Sequence, residues 1–274
     1  MTRIRFFFVL LAAIFSSFAF AVEFAPDGVP FVVAEKTWSA NGLGNHRAVV
    51  RVPQSGVVSA FLKWRRVDPR PEIKRVIVTK ASTGEGVPLV FARGVCAQSG
   101  EVLFDAPDAG EYYIYYLPYK EHFGHSEGRS RPKWNDYFPP EYGENEQLLT
   151  ARLKALGAQD PIKAEILRFE SRTRFEAWTP MGLCATQQEM ANLSKGQTGK
   201  FAIFTEDRTN PIHPASWLPA KWANGEELRT TFAGTALKDE YYVWQIALWT
   251  HGGALKNVKV KFSDLVKTSN DGER

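Results

Sequence analysis

Runs of apolar, β-branched and aromatic residues of strand length recur along this chain, most of them followed by a turn signal. Ala48 to Val52 is a short apolar run, and Gly56 to Trp64 is a second that ends in bulky residues. Lys74 to Thr79 is β-branched, with Thr83-Gly84-Glu85-Gly86 as the turn behind it. Glu101 to Phe104 is short. Pro107-Asp108-Ala109-Gly110 is a turn signal ahead of EYYIYYLP, Glu111 to Pro118. In that run Tyr113, Tyr115 and Leu117 fall on one face, and Tyr112, Ile114 and Tyr116 on the other. The 21 glycines and 16 prolines suit many short strands better than a helical bundle. Strands at this spacing predict an antiparallel sandwich over residues 22–119.

Residues 120–161 break the pattern. The stretch KEHFGHSEGRSRPKWNDYFPPEYG reads as an ordered linker or long loop. Behind it, Leu148, Leu149, Leu153 and Leu156 stand at helical spacing, so Asn145 to Leu156 is a helix with Gly157 as its stop. Its apolar stripe is expected to dock on a sandwich. A second β-rich module is expected over 162–265. It contains a strand at Ala164 to Arg168, a short helix at Gln187 to Leu193 and a strand at Phe201 to Thr205. A loop around LPAKW follows, then EYYVWQIALWT, Glu240 to Thr250, the strongest strand signal in the chain. Lys256 to Asp264 alternates, with Val258, Val260 and Phe262 expected inward and Lys259, Lys261 and Ser263 outward. Residues 266–274 form a polar tail. The expected fold class is therefore mainly all-β: two antiparallel β-sandwich modules joined by a loop-plus-helix linker.

The N-terminus has the layout of an export signal. Arg3 and Arg5 precede an unbroken apolar run from Phe6 to Phe15, and Ala19-Phe20-Ala21 is a small-x-small cleavage site. Phe6 to Val22 is short of the roughly 20 apolar residues that a membrane span needs. Cleavage after Ala21 is expected, giving an exported chain (periplasmic, cell-surface or extracellular) with no membrane segment after cleavage. Export permits a disulfide. Cys96 and Cys184 are nevertheless read as free, buried small hydrophobic residues in different modules.

The formal charge of +4 includes Arg3 and Arg5. The remaining balance is too even for a nucleic-acid partner, which would meet a basic stripe. No GxSxG elbow, phosphate loop or HExxH occurs. His122 and His125, flanked by Glu121 and Glu127, read as solvated loop residues rather than a metal site. Glu206-Asp207 and Asp239-Glu240 are adjacent acidic pairs, but neighbours on a strand face opposite sides. Lys63-Trp64-Arg65-Arg66 followed by Asp68 reads as a strand end with an internal ion pair. No catalytic, cofactor-binding or metal-binding residue is assigned. Aromatic rings are the remaining candidates. Trp134 and Tyr137 in the linker, or Trp217 and Trp222 near LPAKW, offer faces for sugar stacking, against the alternative that they anchor loops on the sheets.

The motifs, taken in order, resemble a known family. WRRVDPRPEIKRVIVTKASTGEGV (Trp64 to Val87), GEVLFDAPDAGEYYIYYLPYK (Gly100 to Lys120) and IKAEILRFESRTRFEAWTPMGLCAT (Ile162 to Thr186) are similar to the N-terminal domain of glycoside hydrolase family 123-like proteins. So are FAIFTEDRTNPI, LPAKW and DEYYVWQIALWT followed by LKNVKVKFSDL. The resemblance implies bacterial, exported enzymes related to β-N-acetylgalactosaminidases, with β-sandwich modules ahead of a (β/α)₈ barrel. That barrel carries an adjacent Asp-Glu pair, and the acetamido group of the substrate acts as nucleophile. A barrel needs roughly 250 residues, so no position here takes over the catalytic pair. The expected role is a non-catalytic accessory or carbohydrate-associated region. Its partner would be a glycan or a separate catalytic barrel chain. The alternatives are a glycosidase acting on N-acetylgalactosaminides and a cell-surface protein–protein module. The resemblance also implies that the second module lacks its last strands, which would leave an apolar strand edge under-protected.

Overall fold

The structure is a computed structural model and describes residues 25–66, 68, 70–120, 136–197, 199–212, 217–224 and 231–263. The expected alternation of EYYIYYLP is present: Tyr112 and Ile114 are fully buried and Tyr116 nearly so. Burying a side chain of this size contributes about 1.5–3 kcal/mol. A one-residue slip would turn all three outward, so the pattern fixes the register.

These tyrosines belong to β7 (Gly110–Tyr115) and the residue behind it. β7 lies between β2 (His46–Val52) and β4 (Ile77–Lys80). The same sheet continues beyond β2 through β11 (Glu165–Ser171) to β1 (Phe31–Val33), giving the order β1-β11-β2-β7-β4. The second sheet has the order β10-β3-β6-β5, built from β10 (Ile162–Lys163), β3 (Gly56–Leu62), β6 (Gly100–Ala106) and β5 (Val90–Arg93). The two inner faces share one core, in which Ala48, Val50, Val58, Leu62, Val102, Phe104 and Ile114 are fully buried. The described residues are thus mainly β and sandwich-like, as the spacing implies.

Two features differ from the sequence-based reading. Residues 162–171 complete the first sandwich instead of opening a second one. β10 joins one sheet and β11 the other, with the chain crossing between them at Ala164. Both make a parallel pairing, β10 with β3 and β11 with β1, while β11 pairs antiparallel with β2. The loop-like composition of 120–161 looks like a boundary, but strand partners are long-range and composition does not name them. A register shift between Ile166 and Arg168 bends β11 as it passes β2.

The linker contributes β9 (Asp136–Tyr137), which pairs with β8 (Tyr119–Lys120), and α1 (Asn145–Ala155). α1 docks on the outer face of the β3–β6–β5 sheet through buried Leu149 and partly buried Leu153, against Val57, Leu103 and Phe91. Leu148 and Leu156 stay exposed, because only the 149/153 pair of the expected stripe points at the sheet.

The rest of the described chain builds a smaller layer. β12 (Phe201–Asp207) and β13 (Trp244–Thr250) pair antiparallel along their full length. α2 (Gln187–Lys195) and α3 (Ala220–Ala223) accompany them. Ala185, Ala202, Phe204 and Leu218 form their core, with Met190, Trp222 and Trp249 packed around it. The expected strand at 256–264 does not form over its described residues, 256–263; Val258, Val260 and Phe262 are exposed. An alternating pattern needs a neighbour to pair with, and among the described residues no strand pairs with this segment. The outer face of β13, with Trp244, Ile246 and Leu248, is also substantially exposed. Among the described residues no helix is long and apolar enough to cross a membrane.

Candidate functional site

Beyond β3 the backbone is pinned on both sides. Arg65 N–H donates to Gln98 O at 3.0 Å and Arg66 N–H to Ala97 O at 2.6 Å, while Cys184 N–H donates to Arg65 O at 3.2 Å. Trp64 anchors the segment by burying its ring and donating Nε1–H to Cys96 O at 2.9 Å. Held this way, Arg65 is directed to α2 and Arg66 to the β8–β9 side.

Arg66 gives the ion pair expected from the sequence. Its Nε and Nη2 donate to the two Asp68 oxygens at 2.6 and 2.8 Å, and Lys74 Nζ donates to Asp68 Oδ2 at 2.6 Å. Lys74 Nζ also stands 4.0 Å from the centre of the Tyr137 ring, a cation–π contact. Tyr137 is half-exposed and meets Tyr119 edge-on at 6.0 Å. Burial raises the Tyr137 pKa, the Asp68 charge adds to that, and Arg66 opposes it. Behind this group, Arg66 Nη1 and the Tyr116 hydroxyl are buried without a hydrogen-bond partner among the described residues. Burial drives the Tyr116 phenol far above its ordinary range. His46 lies between Tyr116 and Trp178 with Nε2 2.7 Å from Glu176 O, so its ring donates there. Burial lowers its pKa and keeps the ring neutral. The assembly offers a half-exposed aromatic ring beside a tightly paired set of charges. It can stack on an apolar sugar face and hydrogen-bond to hydroxyls.

The tryptophan candidates fare differently. Trp222 stacks on Phe204 at 4.5 Å and donates Nε1–H to Glu206 Oε1 at 2.8 Å. One face and the polar edge of its ring are therefore already occupied, and it serves the small core. Trp217 is half-buried ahead of Leu218, which belongs to that same core. Trp134 lies outside the described residues, as do His122 and His125. Tyr137 stands on β9 against Tyr119 of β8, and Trp222 lies under β12–β13, each ring in its own cluster.

The acidic neighbours separate as strand geometry requires. Glu206 points into the small core, where Lys221 Nζ donates to both oxygens at 2.7 Å. Asp207 lies on the other face and accepts from Thr209 N–H at 2.8 Å. Among the described residues no group of three His, Cys, Asp or Glu is placed to hold a metal ion. Both cysteines are free thiols, but only Cys184 is buried as expected; Cys96 is exposed, its Sγ 3.8 Å from Ser99 Oγ in the turn between β5 and β6. The Cys184 Sγ lies 3.1 Å from Arg66 O, and burial pushes its pKa up to about 12, so it acts as packing rather than as a nucleophile.

The polar group that sequence reasoning missed is centred on Arg65, 1% exposed. Its Nη1 and Nη2 donate to Glu189 at 2.8 and 2.9 Å, and Nη2 also donates to Asp27 at 2.8 Å. Glu189 simultaneously accepts from Thr186 N–H at 2.8 Å, closing a capping box on α2. Thr186-Gln187-Gln188-Glu189 carries that capping signature in the open; nothing local marks Arg65 as its partner.

A comparison with curated proteins and a comparison with solved structures each returned no match. A family model described as glycoside hydrolase 123, N-terminal domain, matches residues 36–172, half of the chain. That span ends one residue beyond β11, the strand that joins β1 to β2. The C-terminal boundary of the match thus falls where the last strand of the sandwich ends, and the chain belongs to the glycoside hydrolase 123 N-terminal domain family.

Proposed function

We propose that this chain is an exported, non-catalytic, carbohydrate-associated region that works beside a glycoside hydrolase barrel or on a glycan directly. The observation that carries this reading is the family match over every strand of the sandwich except β1. The half-exposed ring of Tyr137, next to the Arg66–Asp68–Lys74 group, supports contact with sugars. Glu206 and Asp207 stand on opposite faces of β12, an arrangement that disfavours paired-carboxylate glycoside chemistry at that point.

The test has two arms. The purified chain is applied to a glycan array and incubated with chromogenic N-acetylgalactosaminides. Glycan binding without turnover is the expected result. Turnover that a single carboxylate substitution abolishes would instead establish a glycosidase. The exposed apolar face of β13 favours a second reading, a protein–protein module. A silent array together with a retained protein partner would select it.

A further inference from the structure

α1 does not seal the sheet it covers. Between α1 and the outer face of β3, β6 and β5 lies a groove of about 150 Å³. A cavity of about this volume takes one benzene-sized ring, so there is room for one six-membered ring and not for a chain of them. Val57, Phe91 and Leu103 form its apolar floor, Leu149, Leu153 and Pro161 complete its apolar lining, and Arg93, Glu146 and Thr150 stand at its rim.

The rim groups keep hydrogen-bonding capacity. Arg93 spends Nε on Glu101 at 2.7 Å, which leaves four of its five N–H donors. The hydrogen bond to Glu101 is the main influence raising the Arg93 pKa, and the Glu146 charge adds to it from across the groove. Glu146 is exposed and its carboxylate forms no ion pair or hydrogen bond among the described residues. Thr150 donates its hydroxyl to Glu146 O at 2.8 Å and retains acceptor capacity.

This lining discriminates between ligand classes. An aliphatic chain would match the floor but make no use of Arg93 or Glu146. A metal cation would find a single free carboxylate. A small anion would meet Arg93 already paired to Glu101, with Glu146 repelling it. A neutral sugar ring satisfies both halves: its C–H face rests on the floor, one hydroxyl donates to Glu146, and a neighbouring oxygen accepts from Arg93. We infer that the groove beneath α1 is a subsite for one neutral sugar ring, held by Glu146 and Arg93 over Phe91. This rests on the carbohydrate-associated reading and names a place for it distinct from Tyr137.

The test uses the full chain, isotopically labelled, titrated with the methyl glycosides of galactose, glucose and N-acetylgalactosamine. At least one probe should shift the amides of Val57, Phe91 and Thr150 saturably. Glu146→Gln removes the charged acceptor on an exposed helix face and should weaken binding roughly tenfold or more. Thr150→Trp, also exposed, should plug the mouth and abolish it. Unchanged melting temperatures in both variants confirm that the fold is intact. Saturable binding that neither variant alters overturns the groove while leaving the glycan reading in place. No saturable shift with any of the three probes also overturns it, and a silent glycan array then removes the broader reading as well.

Discussion

Arg65 and Glu189 meet end to end: both guanidinium Nη atoms donate to the one carboxylate, at 2.8 and 2.9 Å, from opposite ends of a sequence gap of 124 residues. This pair joins the end of β3 to the cap of α2, and through Asp27 it also holds the turn ahead of β1. Breaking a buried pair from one side costs about 3–5 kcal/mol, and the low end applies here because Arg65 would keep Asp27. Glu189→Ala should therefore lower the thermal midpoint by roughly 6–12 °C, taking the low end of that cost and about 2–4 °C per kcal/mol for a chain of this size. A scanning calorimetry trace that overlays the parent protein would show the link to be idle.

Acid should act on the same joint. Burial works against the charged form of Glu189, but hydrogen bonds from Arg65, Thr186 N–H and Asn224 outweigh it and hold its pKa below the ordinary 4.5. Asp27 is lowered from 3.8 in the same way by Lys63 and Arg65. Carboxyls of this kind stabilise the fold above their unfolded values, and that stability drains as pH falls through the folded ones. His46 acts earlier. Its folded pKa lies below 6.5, so the unfolded chain takes up a proton first and stability falls as pH drops beneath that value. Urea midpoints should decline in two stages, the first starting near pH 6.5 and the second below about pH 4.5. His46→Gln should remove the first stage alone; a curve flat from pH 7 to 5 in the parent would contradict the buried, neutral His46.

Gly44 should tolerate no side chain. Its φ is +77°, and a Cβ there would lie 2.1 Å from Leu117 O, a backbone atom with little freedom to retreat. The same residue accepts from Trp38 Nε1 at 2.8 Å, so movement would also disturb the loop that covers Arg47. Gly44→Ala should cost about 2 kcal/mol or more, measured as a lower urea midpoint. Gly84→Ala has a similar φ of +76° and open space around it, and should cost less.

The sandwich should be separable at the end of β11 and not before it. A fragment of residues 25–172 retains every strand of both sheets, whereas residues 25–120 lose β10, β11 and α1. The longer fragment should show a cooperative melt and dispersed amide resonances, the shorter one neither. A folded 25–120 fragment would show that β1 and β2 hold together without the strand between them.

On β12–β13 the outer face presents Phe201, Trp244, Ile246 and Leu248, each at least 40% exposed. Dyes that report apolar surface should bind the native chain, and sedimentation should reveal self-association at micromolar concentration. Leu248→Thr with Ile246→Thr should reduce both signals. A dye-negative monomer would show that this face is covered in solution.

Much of this architecture could be read from the chain, and the exceptions share a cause. The inward set Tyr112, Ile114 and Tyr116 was legible because alternation is a local property. The placement of β11 was not, because Glu165 to Ser171 reads the same whichever sheet receives it; its register partners lie over a hundred positions upstream in β2. Val258, Val260 and Phe262 alternate as well as any strand here, yet they stay exposed, since periodicity names a face and not a neighbour. A loop-anchoring role for Trp222 was legible, but its partner was not, because Glu206 is 16 residues away and carries no local mark. The groove under α1 was out of reach altogether: Arg93 and Glu146 become neighbours only once Leu149 and Leu153 have seated the helix.

The position of β11 also sets a timetable. β2 ends at Val52 and its sheet neighbour ends at Ser171, so 119 residues must follow β2 out of the ribosome before that edge can be paired. At typical synthesis rates the wait is roughly 6–24 s. During it, one flank of the nascent sheet offers unsatisfied amides and the side chains of Ala48 and Val50 to any passing strand. The growing polypeptide is thus at its most vulnerable to aggregation well after its first strands exist, and a chaperone that shields extended segments would matter most in that interval.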